Sequence, residues 1–137
     1  MNEGTSSSSP SVMVIDDDPD ILEVTRFVLE NAGYRVATAA NGADALASLR
    51  EAKPGLILLD LMMPVMNGWE FRAEQTRDPE LAAVPVVVIT GAGNAAARAA
   101  PAGVAGLLEK PVDLDTLLSA VGRYCKRGRT PNPDGQR

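Results

Sequence analysis

Leu56-Ile57-Leu58-Leu59-Asp60, running on into Leu61-Met62-Met63-Pro64, is the stretch on which the fold turns. Four apolar residues in a row leave no polar face. The segment is therefore a strand covered on both sides, as in a parallel sheet between two helical layers. It stops on a carboxylate. Asp60 precedes a loop marked by Met63-Pro64 and Asn67-Gly68, so helix capping explains it poorly.

The same design recurs on either side. Val12 to Ile15 is a short apolar run that ends in Asp16-Asp17-Asp18. Val84 to Ile89, with Pro85 near its start, stops at Thr90, and Gly106 to Glu109 stops one residue before Lys110. Tyr34 to Thr38 alternates like a further strand. Helical patterns fill the gaps. Asp20 to Asn31 has Pro19 at its first turn, Gly33 past its end, and Ile21, Val24, Thr25 and Val28 on one face. A second helix runs from an Asn41 cap to about Glu51, and a third from Trp69 to about Thr76. A short, weak one is expected around Asn94 to Ala100, in an Ala- and Gly-rich stretch interrupted by Pro101. The last carries Leu114, Leu117, Leu118 and Val121 as a core stripe. Alternating strands and helices predict an α/β fold, a doubly wound five-stranded parallel sheet flanked by about five helices. In such sheets ligands bind beyond the carboxyl ends of the strands, at a topological switch point.

Composition narrows the function. The 137 residues suit one domain, and 45% of them are hydrophobic, enough for a core. No apolar run approaches the roughly 20 residues of a spanning helix. Met1 to Ser11 is polar and Ser-rich, without the features of a signal peptide. Residues 1–10 and the basic, Pro- and Gly-containing 126–137 are expected to be disordered, with the domain over 11–125. A single cysteine, Cys125, excludes an internal disulfide and fits a cytoplasmic location. With no histidine, a Ser-His-Asp triad, a His-metal site and a His phosphocarrier are all excluded. The net charge of −5 argues against direct nucleic-acid binding.

Strand ends in a parallel sheet share one edge, so Asp16, Asp17, Asp60, Thr90 and Lys110 gather there. Clustered carboxylates repel, and a hard divalent cation such as Mg²⁺ relieves that repulsion. A hydroxyl and an ammonium suit the remaining oxygens of a phosphoryl group. The constellation fits phosphoryl transfer with a carboxylate as nucleophile. Asp18 stands directly before a helix and is assigned to capping. Trp69, Cys125 and the basic tail are assigned structural or solvated roles.

Four segments in register resemble the response-regulator receiver domains of two-component signalling, which have a flavodoxin-like fold: Val14-Ile15-Asp16-Asp17-Asp18-Pro19, Leu59 to Gly68, Val88-Ile89-Thr90-Gly91 and Glu109-Lys110-Pro111. The resemblance covers about Ser11 to Cys125. It implies that Asp60 accepts a phosphoryl group from a phosphohistidine on a sensor histidine kinase or phosphotransfer protein. Asp16 and Asp17 would help hold Mg²⁺, with Asp17 the more direct ligand, and Asp60 and the backbone carbonyl of Met62 would complete the protein's share. Thr90 and Lys110 would contact the phosphoryl oxygens, and Pro111 would follow a cis peptide bond. Such a domain is no enzyme beyond its own phosphorylation and dephosphorylation. It would act as a monomer or weak dimer on a downstream protein that the sequence does not name. With no effector domain after Cys125, a free-standing regulator is expected over a piece of a larger hybrid kinase.

The sequence departs from the family at three places. Leu107 holds a position where many receivers carry Tyr or Phe. The stretch between Thr90 and Lys110 is slightly short. Met62 and Ala92 stand two residues after Asp60 and Thr90, where fast-hydrolysing receivers tend to carry polar groups that orient water. Three other functions were weighed. A haloacid-dehalogenase-type phosphatase would use Asp16 as nucleophile and Asp18 as acid, with Asp113 and Asp115 near its further acidic motif. A nucleotide-binding module would use Gly91-Ala92-Gly93-Asn94-Ala95-Ala96, and a degenerate receiver would serve only as an interaction domain.

Overall fold

Central position explains the apolar run quoted first. The computed structural model describes residues 11–61, 63, 66–91 and 103–125. Strands β1 (Val12–Ile15), β2 (Val36–Ala39), β3 (Leu56–Asp60), β4 (Val86–Thr90) and β5 (Gly106–Glu109) form one parallel sheet in the order β2-β1-β3-β4-β5. β3 is flanked on both sides, Leu58 pairing with Val14 of β1 and Val87 of β4. All of its residues are buried. The helices among the described residues are α1 (Pro19–Asn31), α2 (Gly42–Glu51), α3 (Gly68–Thr76), the single turn α4 (Pro79–Ala82) and α5 (Leu114–Tyr124).

Strand alternation splits the core in two. Met13, Ile15, Ile57, Leu59 and Val88 pack with Leu46, Leu49 and Phe71 of α2 and α3. Val12, Val14, Leu56, Leu58 and Val87 pack on the opposite face with Leu29, Leu117 and Val121 of α1 and α5. Burying each such side chain contributes about 1.5–3 kcal/mol, so β3, which contributes to both layers, is the chief anchor of the sheet. Each described helix begins at an Asp or Asn whose side chain accepts a backbone N–H: Asp18, Asn41, Asn67, Asp78 and Asp113. Asn67 and Glu70 make a reciprocal capping box, with bonds of 2.9 and 3.0 Å. These caps fix where each helix starts, and hence how each loop leaves the sheet edge.

Several expectations need correction. The packed stripe of α1 is Leu22, Val28 and Leu29, continued by the C-cap Ala32, and shares only Val28 with the one read in the sequence. Ile21 and Val24 are exposed. With Leu114 and Val112 they border an open apolar groove of about 410 Å³ beside α1. Leu114, the first residue of α5, is 55% exposed. β4 begins at Val86 and includes Thr90. α4 was not expected, although Asp78-Pro79 is a cap followed by a proline at the first helical position. The weak helix proposed around Asn94–Ala100, Pro101 and both termini lie outside the described residues.

Candidate active site

From β1 the chain crosses to β2 on one side, and from β3 it crosses to β4 on the other. The carboxyl ends of β1 and β3 therefore flank the switch point of the sheet. Asp16 is the first residue beyond β1 and Asp60 the last of β3. Both are pulled into the edge by their strands, at 3% and 4% exposure. Asp17 points outward and is exposed, yet carboxylate oxygens of Asp16, Asp17 and Asp60 all lie within 4.8 Å of one another. Asp16 Oδ1 also accepts the backbone N–H of Asp18 at 2.9 Å, which orients it.

Lys110 follows β5 and returns to the same place. Its backbone N–H donates to the Thr90 carbonyl at 2.8 Å. Its Nζ donates to Asp16 Oδ2 at 3.2 Å and lies 3.5 Å from Asp60 Oδ2. Burial alone would lower the lysine pKa. The charges of Asp60 and then Asp16, with the hydrogen bonds to both, outweigh it and hold the ammonium above its ordinary value. Lys110 is thus cationic at neutral pH. Three carboxylates facing one ammonium leave the cluster with an excess of two negative charges. That excess, on oxygen donors with one side open to solvent, fits Mg²⁺.

Thr90 is fully buried at the end of β4, and its hydroxyl donates to the Gly91 carbonyl at 3.4 Å, a weak bond that leaves it able to turn. The Lys110–Pro111 peptide is cis. Leu107 is exposed on β5, which forms an edge of the sheet. Gly68 packs so closely under the Asp60 loop that a Cβ there would lie 2.7 Å from the Leu61 Cα. Its N–H donates to the Leu61 carbonyl at 2.9 Å. A side chain at that position would push out the loop carrying Asp60. Met62 and Ala92 lie outside the described residues.

The dehalogenase-type alternative loses its residues to capping. Asp18 accepts the Asp20 N–H at 2.9 Å, and Asp113 the Thr116 N–H at 2.7 Å. Those backbone bonds hold Asp113 below the usual carboxylate range. Neither is placed as the acid or further metal ligand of a dehalogenase-type phosphatase. Of the glycine-rich segment only Gly91 is described.

Sequence reasoning missed a second polar group. Arg72 and Gln75 of α3 are buried together with Gly68 and Phe71. These four occupy i, i+3, i+4 and i+7, so the helical stripe could have exposed them, but their polarity disguised it.

The comparisons agree with this geometry. The family model described as "Response regulator receiver domain" matches residues 12–122. Protein PilH of Pseudomonas aeruginosa is 33% identical over 112 residues, which cover 80% of this chain and 93% of PilH. The transcriptional regulator RpaA of Synechocystis, described as DNA-binding, is also 33% identical, over 86% of this chain, which spans half of RpaA's length. The crystal structure of the Vibrio cholerae chemotaxis protein CheY4 superimposes with a TM-score of 0.73 at 30% identity, covering 85% of this chain and 99% of that one. The chain belongs to the response-regulator receiver family and has the fold of the chemotaxis regulators; its function is two-component signal transduction. Among the described residues no helix is long and apolar enough to cross a membrane.

Proposed function

We propose that this domain accepts a phosphoryl group on Asp60 from a phosphohistidine of a partner kinase or phosphotransfer protein, and that the acyl phosphate switches its surface toward a downstream protein. The single observation that carries this reading is the buried Asp60 carboxylate at the end of β3, clustered with Asp16 and Asp17 and with the Lys110 ammonium in reach of both Asp16 and Asp60. An Asp60 oxygen attacks phosphorus, an O–P bond forms, and the P–N bond to the donor imidazole breaks. Lys110 meets the incoming negative oxygens by a charge-assisted hydrogen bond. Thr90 is placed to turn its hydroxyl toward them. Asp16, Asp17 and Asp60, with the Met62 carbonyl, would hold Mg²⁺, which when bound offsets negative charge on the phosphoryl oxygens. Residues 1–137 contain no histidine, so the phosphohistidine lies outside them. Incubating the full chain with acetyl phosphate should add one acid-stable, base-labile phosphoryl group only when Mg²⁺ is present. Intact mass with and without the metal measures it, and metal-independent uptake would defeat the reading.

Asp17 separates the metal from the nucleophile. It is exposed, so Asp17→Ala leaves the core untouched and should weaken Mg²⁺ binding by about tenfold or more, roughly 1.4 kcal/mol per factor of ten. Calorimetric titration measures this, and unchanged affinity would place the metal elsewhere. The lifetime of the phosphate is expected to be long. Hydrolysis needs a water held in line with the Asp60 oxygen, and Met62 offers only a weak thioether while Ala92 offers no side-chain hydrogen bond. Met62→Asn with Ala92→Glu should speed decay by about tenfold through better water positioning. Decay is followed after removal of the donor. A double variant no faster than wild type would rule out these positions as the control.

A further inference from the structure

β5 is the least enclosed strand of the sheet. It is a four-residue edge strand with no residue buried, so apolar burial fixes it only weakly. Its lateral partner is β4 alone, with Ala105 N–H on the Val86 carbonyl at 2.7 Å and Lys110 N–H on the Thr90 carbonyl at 2.8 Å closing the two ends of the ladder. A third attachment comes from across the molecule. Arg72 of α3 donates Nη2 to the Gly103 carbonyl at 3.2 Å, three residues before β5 begins.

That arginine is itself rooted. Its Nη1 donates to Gln75 Oε1 at 2.8 Å, and Gln75 Nε2 donates to the carbonyls of Leu81 and Val84 at 2.8 and 3.1 Å. Val84 lies two residues before β4. One buried network thus ties the lead-in of β5 to the lead-in of β4. Gly103 is shaped to it, with φ +80° and with an added Cβ only 3.2 Å from Arg72 Nη2. The arrangement is expensive. Arg72 is 9% exposed, and among the described residues the network includes no carboxylate and the arginine Nε has no hydrogen-bond partner. A buried cation without a counter-charge destabilises relative to an apolar residue of similar size, so burial energy does not explain its presence. The fork does have a geometric effect: it adds an anchor at the start of a strand that has no fully buried residue.

The far end of that strand carries Lys110. We propose that Arg72 is a positioning residue for Lys110, setting the placement of β5 so that the ammonium reaches Asp16 and Asp60. This rests on the role given to Lys110 above. The test is a double-mutant cycle on the full chain, reading the rate of phosphate uptake from acetyl phosphate at saturating Mg²⁺, with Mg²⁺ affinity measured alongside. Arg72→Met should slow uptake by about tenfold, since small misplacements of a reacting-group partner are costly. Mg²⁺ affinity should not fall, because Asp16, Asp17 and Asp60 are untouched, whereas a general loosening of the fold would lower both. In a Lys110→Ala background Arg72→Met should cost nothing further. Distant independent sites multiply their effects instead. Multiplied losses, or unchanged uptake in Arg72→Met, overturn the proposal and leave the reading of Lys110 standing. If Lys110→Ala alone takes up phosphate at the wild-type rate, that reading falls and the proposal with it. Should Arg72→Met fail to fold, Gly103→Ala replaces it in the same cycle. Gly103 is exposed, and the substitution disturbs the same contact from the other side.

Discussion

Asp60→Asn should gain no phosphate from acetyl phosphate or phosphoramidate, a loss on the order of a thousandfold or more, because the change removes the nucleophile itself. The substitution keeps the shape of a side chain that is almost wholly enclosed. An amide oxygen is neutral and a poor nucleophile, so geometry survives and chemistry does not. The variant should also fold well. It removes one of three mutually repelling carboxylates, which without metal is a relief. Mg²⁺ affinity should drop but not vanish, since Asp16 and Asp17 remain. Intact mass after donor treatment is the measurement. Uptake equal to wild type would show that another residue is the acceptor.

Lys110→Ala should uncouple phosphorylation from the response. The ammonium bridges Asp16 and Asp60, which stand at the ends of adjacent strands. On the proposed mechanism a phosphoryl group on Asp60 would offer it new oxygens as partners, and the phosphate would tip the balance between the two arrangements. Without the lysine the acceptor still has its carboxylate, and slower uptake should persist. The mutant should also be less stable in the absence of metal. Breaking a fully buried pair costs about 3–5 kcal/mol. The Lys110 side chain is 33% exposed and partly screened, so about 1–2 kcal/mol is expected. Mg²⁺ should restore most of that by neutralising the carboxylates that lost their cation. Urea unfolding with and without Mg²⁺ checks the stability claim. NMR shifts on phosphorylation check the coupling, and shifts matching wild type would end it.

The gathering of the candidate site residues was largely legible because parallel strands turn sequence into position. Asp60 ends an apolar run, Thr90 and Lys110 stand at or just past the ends of others, and Asp16 follows Ile15, so one topology brings all four to one edge. What the sequence left open depended on tertiary detail. That Lys110 approaches Asp16 more closely than Asp60 is set by the path of β5, which no local pattern specifies. In α1 two adjacent apolar rows competed, and the row containing Leu22 and Leu29 meets the sheet while Ile21, Val24 and Phe27 face outward. Arg72 and Gln75 went unnoticed because polar residues are ordinarily read as surface. Among the described residues, their mutual bond and the carbonyls of Leu81, Val84 and Gly103 satisfy them inside, the Arg72 Nε excepted.

The position of β3 has a consequence for how motion is distributed. Amide protons exchange with solvent when their hydrogen bonds open, and opening is costliest where a strand is paired on both sides and fully enclosed. Leu58 and Leu59 should therefore exchange only on global unfolding, while Leu107 and Leu108, on an edge strand with no enclosed side chain, should exchange through cheap local fraying. Asp60, the proposed acceptor, thus ends the most enclosed strand among the described residues, while Lys110 follows the least enclosed one. Fraying of β5 beyond the Arg72 anchor at its start should move the lysine side of the pocket more readily than the Asp60 side.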